Sequence, residues 1–160
     1  MADDQHGFFT LREAQSSDYP QLRALDGRLV VEAKLPGAIA ADFARFQSVY
    51  TEAALAGPGG VVRIIVAVDA AENVLGYIHL QDADDAVLRT KIGYVTLLAV
   101  AENAARRGIG QALMAAAEDW AKSQGYPVLI LDVFASNATA RRFYAAQGFV
   151  EDSLRLRKVV

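Results

Sequence analysis

Arg106-Arg107-Gly108-Ile109-Gly110-Gln111-Ala112 is the stretch with the most evident chemical use. It follows an apolar run and opens a helical pattern. The first N–H groups of a helix have no internal acceptor, and the helix dipole favours an anion beside them. Gly108 and Gly110 carry no Cβ, so a phosphate can come close to the backbone. Arg106 and Arg107 add positive charge. Read alone, the segment is equally a glycine turn with two solvated arginines. It is not a Walker loop, which needs Gly-Lys followed by Ser or Thr. Nor is it a dinucleotide fingerprint, because Leu113 stands where a third glycine is required.

The second group is Asn137, Ala140 and Tyr144, followed by Gly148-Phe149. Spacing of i, i+3, i+7 places the first three on one helix face, with small Ala140 between two polar side chains. A plainer reading makes Asn137 or Ser136 a helix cap and Tyr144 a core residue with its hydroxyl at the rim.

These residues need a scaffold, and the pattern along the chain supplies one. Phe8 to Arg12 reads as a short strand, and Asp18 before Pro20 as a helix start. Phe43, Phe46, Tyr50 and Ala53 mark a second amphipathic helix, closed by Gly57-Pro58-Gly59-Gly60. Val61 to Val68 and Val74 to Leu80 form a hairpin; Asp82 to Lys91 reads as a polar loop and Ile92 to Val100 as a third long strand. A helix from Gly108 carries Ile109, Leu113, Ala116 and Trp120 on one face. Val128 to Phe134 reads as a buried strand, Asn137 to Gln147 as a helix stopped at Gly148, and Phe149 to Val160 as one or two closing strands. The strand-helix-strand unit from Ile92 to Phe134 implies a parallel pair with a right-handed crossover. The class is therefore mixed α/β, or α+β.

Composition narrows the function. The 160 residues suit one domain, 1–160, with 1–6 as a flexible N-terminus. The net charge of -3 argues against bulk nucleic-acid binding. The chain has no cysteine, which removes disulfides and a cysteine-bound acyl intermediate, and only 2 histidines, which makes a multi-histidine metal site improbable. The acidic start and the lack of long apolar windows point to a cytoplasmic protein without a membrane span.

Together the two motifs resemble the GNAT superfamily of acetyl-CoA-dependent N-acetyltransferases, over about Ile92 to Phe149. That family has Gln or Arg, two residues, Gly, one residue, then Gly or Ala, after a strand ending in an apolar-x-Val pattern, here Leu98-Ala99-Val100. Its Asn-x-x-Ala-x-x-x-Tyr-x-x-x-Gly-Phe falls on Asn137, Ala140, Tyr144, Gly148 and Phe149. The chain departs from it at Ala105, where the family has Gln or Arg, and at Arg106, where Gly is frequent.

The resemblance implies a central mixed sheet of six to seven strands, flanked by about four helices, with a splayed parallel pair. It implies acetyl-CoA as acyl donor, held by Leu98, Ala99, Val100, Arg106, Arg107, Gly108, Ile109, Gly110, Gln111, Ala112, Asn137 and Tyr144. The Leu98 N–H would face the thioester oxygen and Tyr144 would protonate the leaving thiolate. No metal is implied. The acceptor is an amine of a small molecule or peptide, and a homodimer is allowed for. The alternatives are a longer acyl donor, or a non-catalytic acyl-CoA-binding module. The strand before the loop offers no carboxylate as general base; Tyr94 and Thr96 share an alternating face there and would hold a water. Glu32, His79 and Asp132 are weaker base candidates, read first as a solvated loop charge, a hairpin side chain and a buried strand carboxylate. Asp82, Asp84 and Asp85 are candidates for steering a cationic acceptor.

Overall fold

A computed structural model describes residues 7–57 and 59–160, so the expectation for 1–6 lies outside the described residues. The sheet has five strands in sequential order: β1 (Thr10–Glu13), β2 (Val62–Val68), β3 (Val74–Asp85), β4 (Thr90–Val100) and β5 (Leu129–Leu131). The first four are antiparallel, and β5 runs parallel to β4. Five helices cover it: α1 (Tyr19–Arg23), α2 (Asp26–Leu29), α3 (Ala40–Leu55), α4 (Ile109–Ser123) and α5 (Ala138–Ala146).

Each face of the sheet has its own core. On one side Ile65, Ile78, Leu80 and Val95 pack against Leu113, Met114, Ala117 and Trp120 of α4. On the other, Val66, Val68, Tyr77 and Leu97 pack against Leu22 of α1 and Ala54 and Leu55 of α3. The strands are apolar on both faces because both are covered.

Four expectations are corrected. The single helix from Asp18 is two short ones, broken at Ala24-Leu25. Asp82 to Lys91 is not a loop: β3 and β4 stay paired out to Asp85↔Thr90. Val128 to Phe134 shrinks to a three-residue, half-buried strand. Residues 149–160 form no strand, so among the described residues the sheet has five strands rather than six to seven. The alternation Leu154-Arg155-Leu156-Arg157 suits a strand, but a strand needs a partner. β5 offers a very short edge, and the tail stays exposed, tied by the Arg141–Glu151 ion pair.

His79 is fully buried on β3, with its Nε2 3.0 Å from the Ala54 carbonyl. Burial holds its imidazole below the ordinary value of 6.5, so it is neutral in the fold. The unfolded chain then binds more protons below about pH 6.5, and stability falls as pH drops through that value. A thermal-unfolding series should show the melting temperature declining from pH 6.5 to pH 5, with a shallower decline in His79→Leu. Equal slopes would show that His79 carries no proton linkage.

Candidate active site

β4 carries a bulge that sets the site. His79 of β3 pairs with Leu97 and Leu80 with Val95, which leaves Thr96 without an opposite residue. One extra residue reverses which face each later side chain takes. Val95 therefore lies in the core under α4, Leu97 and Ala99 lie in the opposite core, and Leu98 and Val100 pack on the α4 side. The simple alternation expected to carry Tyr94 and Thr96 together stops at this point. The Thr96 hydroxyl is buried without a hydrogen-bond partner among the described residues.

The parallel pair separates just before the bulge. Its last matched residues are Val95↔Leu131, while β4 continues to Val100. The backbone groups that β5 no longer meets can be identified from their neighbours. The Ala101 N–H donates to Leu75 of β3, and the Val100 carbonyl accepts from Arg28 Nε at 3.2 Å. Backbone groups alternate sides along a strand. Leu98 and Val100 thus turn their N–H and C=O away from β3, toward the gap left by β5. Arg28, on α2, was not anticipated from the sequence, because it stands 72 residues away.

The Arg106–Ala112 loop follows directly. Gly108 caps α4 with φ of 81° and without a side-chain hydrogen bond. The N–H groups of Ile109, Gly110 and Gln111 at the start of α4 have no intrahelical acceptor; the Ala112 N–H is the first to reach back, to Gly108. Gly110 has a further role: a Cβ there would lie 3.2 Å from the Phe143 ring of α5. Its lack of a side chain lets α5 sit beside the loop. Arg107 stacks on Phe8, 4.2 Å from the ring centre. Arg106 makes no side-chain hydrogen bond, ion pair or ring contact among the described residues and holds φ of 61°, where glycine is favoured. Left-handed backbone at a residue with a Cβ costs about 1–2 kcal/mol. Arg106→Gly should therefore raise the melting temperature while weakening any anion held at this loop; a fall in melting temperature would remove the strain argument.

Asn137 caps α5, its Oδ1 accepting the Ala140 N–H at 3.0 Å. Tyr144 packs between Phe143 and Phe149, at ring separations of 5.3 and 5.8 Å, on the core that Leu98 and Val100 also line. Burial alone pushes its phenol up to about 12. Ser136, just before α5, donates to the Glu32 carbonyl and accepts the Lys34 N–H, which ties the α2–α3 connection to this end of the sheet.

The remaining candidates separate. Glu32 accepts the Thr139 N–H and is held below the usual carboxylate range, first by Thr139. Asp82 and Asp84 share Lys91, and Asp85 accepts two turn N–H groups, all at the far end of the β3–β4 hairpin. Asp132 is exposed rather than buried, one residue past the last β4–β5 pair, and accepts from the Tyr94 hydroxyl at 2.8 Å. The Tyr94 oxygen is also 3.3 Å from that of Tyr50 on α3. Burial, then these two neighbours, raises the Tyr94 phenol and keeps it protonated. Among the described residues no group of three or more His, Asp or Glu could hold a metal, and no helix is long and apolar enough to cross a membrane.

The fold matches solved structures closely. An acetyl-transferase-type structure from Pyrococcus furiosus aligns at a TM-score of 0.77 and 24% identity, over 95% of this chain and 99% of that one. Glucosamine-6-phosphate N-acetyltransferase from Arabidopsis thaliana aligns at 0.64 and 19%, over 94% and 97%. AAC(6')-Iy, solved with a CoA-linked bisubstrate analogue, aligns at 0.64 and 17%, over 95% and 99%. A search of curated proteins finds no significant match. The model of the acetyltransferase (GNAT) family matches residues 11–149, which takes in the parted strands, the glycine loop and α5; the chain belongs to that family.

Proposed function

We propose that this protein transfers the acetyl group of acetyl-CoA directly to an amine of a small molecule or peptide. The observation that carries this is the capless start of α4. Gly108 in a left-handed turn, free N–H groups at Ile109–Gln111 and an uncommitted Arg106 suit a pyrophosphate. The backbone groups of Leu98 and Val100 that face the β4–β5 gap suit a pantetheine arm, once Arg28 releases the Val100 carbonyl. Asn137 has its Nδ2 left for the same ligand, since its Oδ1 serves α5.

The bound co-substrate supplies an activated acyl thioester. In this reading the Leu98 N–H donates to the oxygen that becomes negative during attack, an interaction stronger in the transition state than before it. Tyr144 donates to the departing sulfur. Full proton transfer from a phenol near 12 to a thiolate of ordinary pKa, about 8.5, is uphill by about 5 kcal/mol. Tyr144 therefore acts first as a hydrogen-bond donor that lets the sulfur leave, and relays a proton as the product nitrogen releases one.

The test pairs thiol release from acetyl-CoA with mass detection of acetylated product across an amine panel. One thiol per acetylated amine is expected. Acetyl-CoA binding with no turnover on any amine would replace this reading with a binding module.

A further inference from the structure

The family reading leaves the acceptor and the base unspecified, and the α3 face of the parted strands bears on both. Asp132 is the first residue of the chain beyond the β4–β5 ladder, so it stands at the fork where the two strands separate. Its carboxylate is solvent-exposed on one side and receives the Tyr94 hydroxyl on the other. Tyr94 is in turn braced by Tyr50. The three residues come from α3, β4 and the segment after β5, and nothing local in the sequence brings them together.

Aromatic rings continue outward from this point. Phe46 stacks on Tyr50 with centroids 5.5 Å apart and planes 27° from parallel. Phe134, two residues after Asp132, meets Phe43 and Phe46 edge-on at 5.6 and 6.5 Å. A groove of about 420 Å³ runs along this face, lined by Asp42, Arg45, Phe46, Val49, Tyr50 and Ala53. Phe46 is 49% and Val49 66% exposed, so apolar surface is left uncovered along this side of α3. Arg45, the one cation on the groove, is paired with Asp42 at 2.7 Å. Tyr50 joins this groove to Asp132, through its 3.3 Å contact with the Tyr94 hydroxyl and the hydrogen bond from Tyr94 to the carboxylate.

We infer that the acceptor is a primary amine carried on an apolar, preferably aromatic, body: the ammonium binds at Asp132, and the body lies on the Phe46–Tyr50 face of α3. The inference rests on the acetyl-transfer reading above and adds the substrate class and the base to it. An ammonium beside a carboxylate and over aromatic faces is favoured electrostatically, and an apolar body covers Phe46 and Val49. Asp132 relays the first proton of the ammonium to solvent water on its exposed side rather than keeping it, and the neutral nitrogen forms the C–N bond to the thioester carbon. The C–S bond then breaks, and the second nitrogen proton ends on sulfur by way of Tyr144. Tyr94 is a positioning residue, because its hydroxyl fixes the Asp132 carboxylate and does not itself take the proton. Tyr94 makes the hydrogen bond to Asp132, with Tyr50 behind it; Glu32 on the α2–α3 connection accepts from Thr139 instead.

The experiment compares 2-phenylethylamine with putrescine and methylamine as acceptors, for the wild-type protein and for Phe46→Ala, Asp132→Asn and Tyr94→Phe. Acetyl-CoA binding is measured separately for each. For the wild type, kcat/KM should favour phenylethylamine over putrescine by at least about tenfold. Phe46→Ala should raise KM for phenylethylamine severalfold and leave methylamine nearly unchanged. Asp132→Asn should lose about 10²-fold or more at pH 7 and much less at pH 9.5, where a far larger share of the amine is already neutral. Tyr94→Phe should show a smaller loss with the same pH trend. A loss that is equal at both pH values, or a preference for putrescine, overturns the inference while leaving acetyl transfer standing. Unaltered acetyl-CoA binding with no acetylation of any of the three amines overturns it, and the proposed function falls with it only when no amine of the wider panel is acetylated.

Discussion

Tyr144→Phe is expected to lower kcat about 10- to 100-fold with little change in the KM for acetyl-CoA. The substitution keeps the ring, and the ring is what Phe143 and Phe149 touch. Only the hydroxyl is lost, and among the described residues that hydroxyl makes no hydrogen bond whose loss would unsettle the fold. A positioned acid contributes about 10²–10⁴-fold. The lower end applies here, because burial pushes the phenol up to about 12 and makes it a weak acid. A thioester with a more acidic thiol should show a smaller loss, since its sulfur leaves with less help. The measurement is a steady-state series under conditions where chemistry limits the rate. Wild-type kcat in the variant would make Tyr144 a packing residue only.

Gly108→Val should weaken acetyl-CoA binding at least about 100-fold. Charge-assisted hydrogen bonds contribute about 1.5–3 kcal/mol each. Crowding the loop so that one or two N–H groups lose a phosphate oxygen costs about 3 kcal/mol, or two powers of ten. The left-handed φ of 81° complicates the variant, because any residue with a Cβ is strained there by about 1–2 kcal/mol. Calorimetry is therefore run well below the variant's own melting temperature, beside Gly108→Asn. Asparagine tolerates this backbone region, so it separates strain from obstruction. Both variants should bind weakly, with Asn the more stable of the two. Unchanged affinity in a folded Gly108→Val protein would place the phosphates elsewhere.

Arg106 shows how local sequence and backbone geometry meet in this loop. The resemblance identified it as standing where glycine is frequent, and φ of 61° supplies the reason. A turn that brings consecutive N–H groups to bear on one anion needs left-handed backbone. An arginine can occupy that position only at a conformational cost, which a phosphate contact would offset. The other arginine is already engaged by Phe8.

What the sequence by itself determined is what short-range physics determines. The two-glycine helix start, the helix face bearing Asn137, Ala140 and Tyr144, and the apolar strands all depend on residues within a turn or two of one another. β2, the glycine loop, α4 and α5 lie where the patterns put them, to within a residue or two, whereas β3 runs five residues further than its apolar pattern and β5 is shorter. The tertiary structure decided everything that depends on partners far apart in the chain. The bulge at Thr96 reverses the facing of Leu97 to Val100, and it exists only in the register between β3 and β4. Residues 149–160 alternate like a strand yet pair with nothing, because a strand is completed by an edge that periodicity cannot supply. Tyr94, Asp132 and Tyr50 look unremarkable one at a time. Only the fold brings them together, because the β4–β5 ladder ends at Leu131 and a hydrogen bond spanning 38 residues then holds Asp132 to Tyr94.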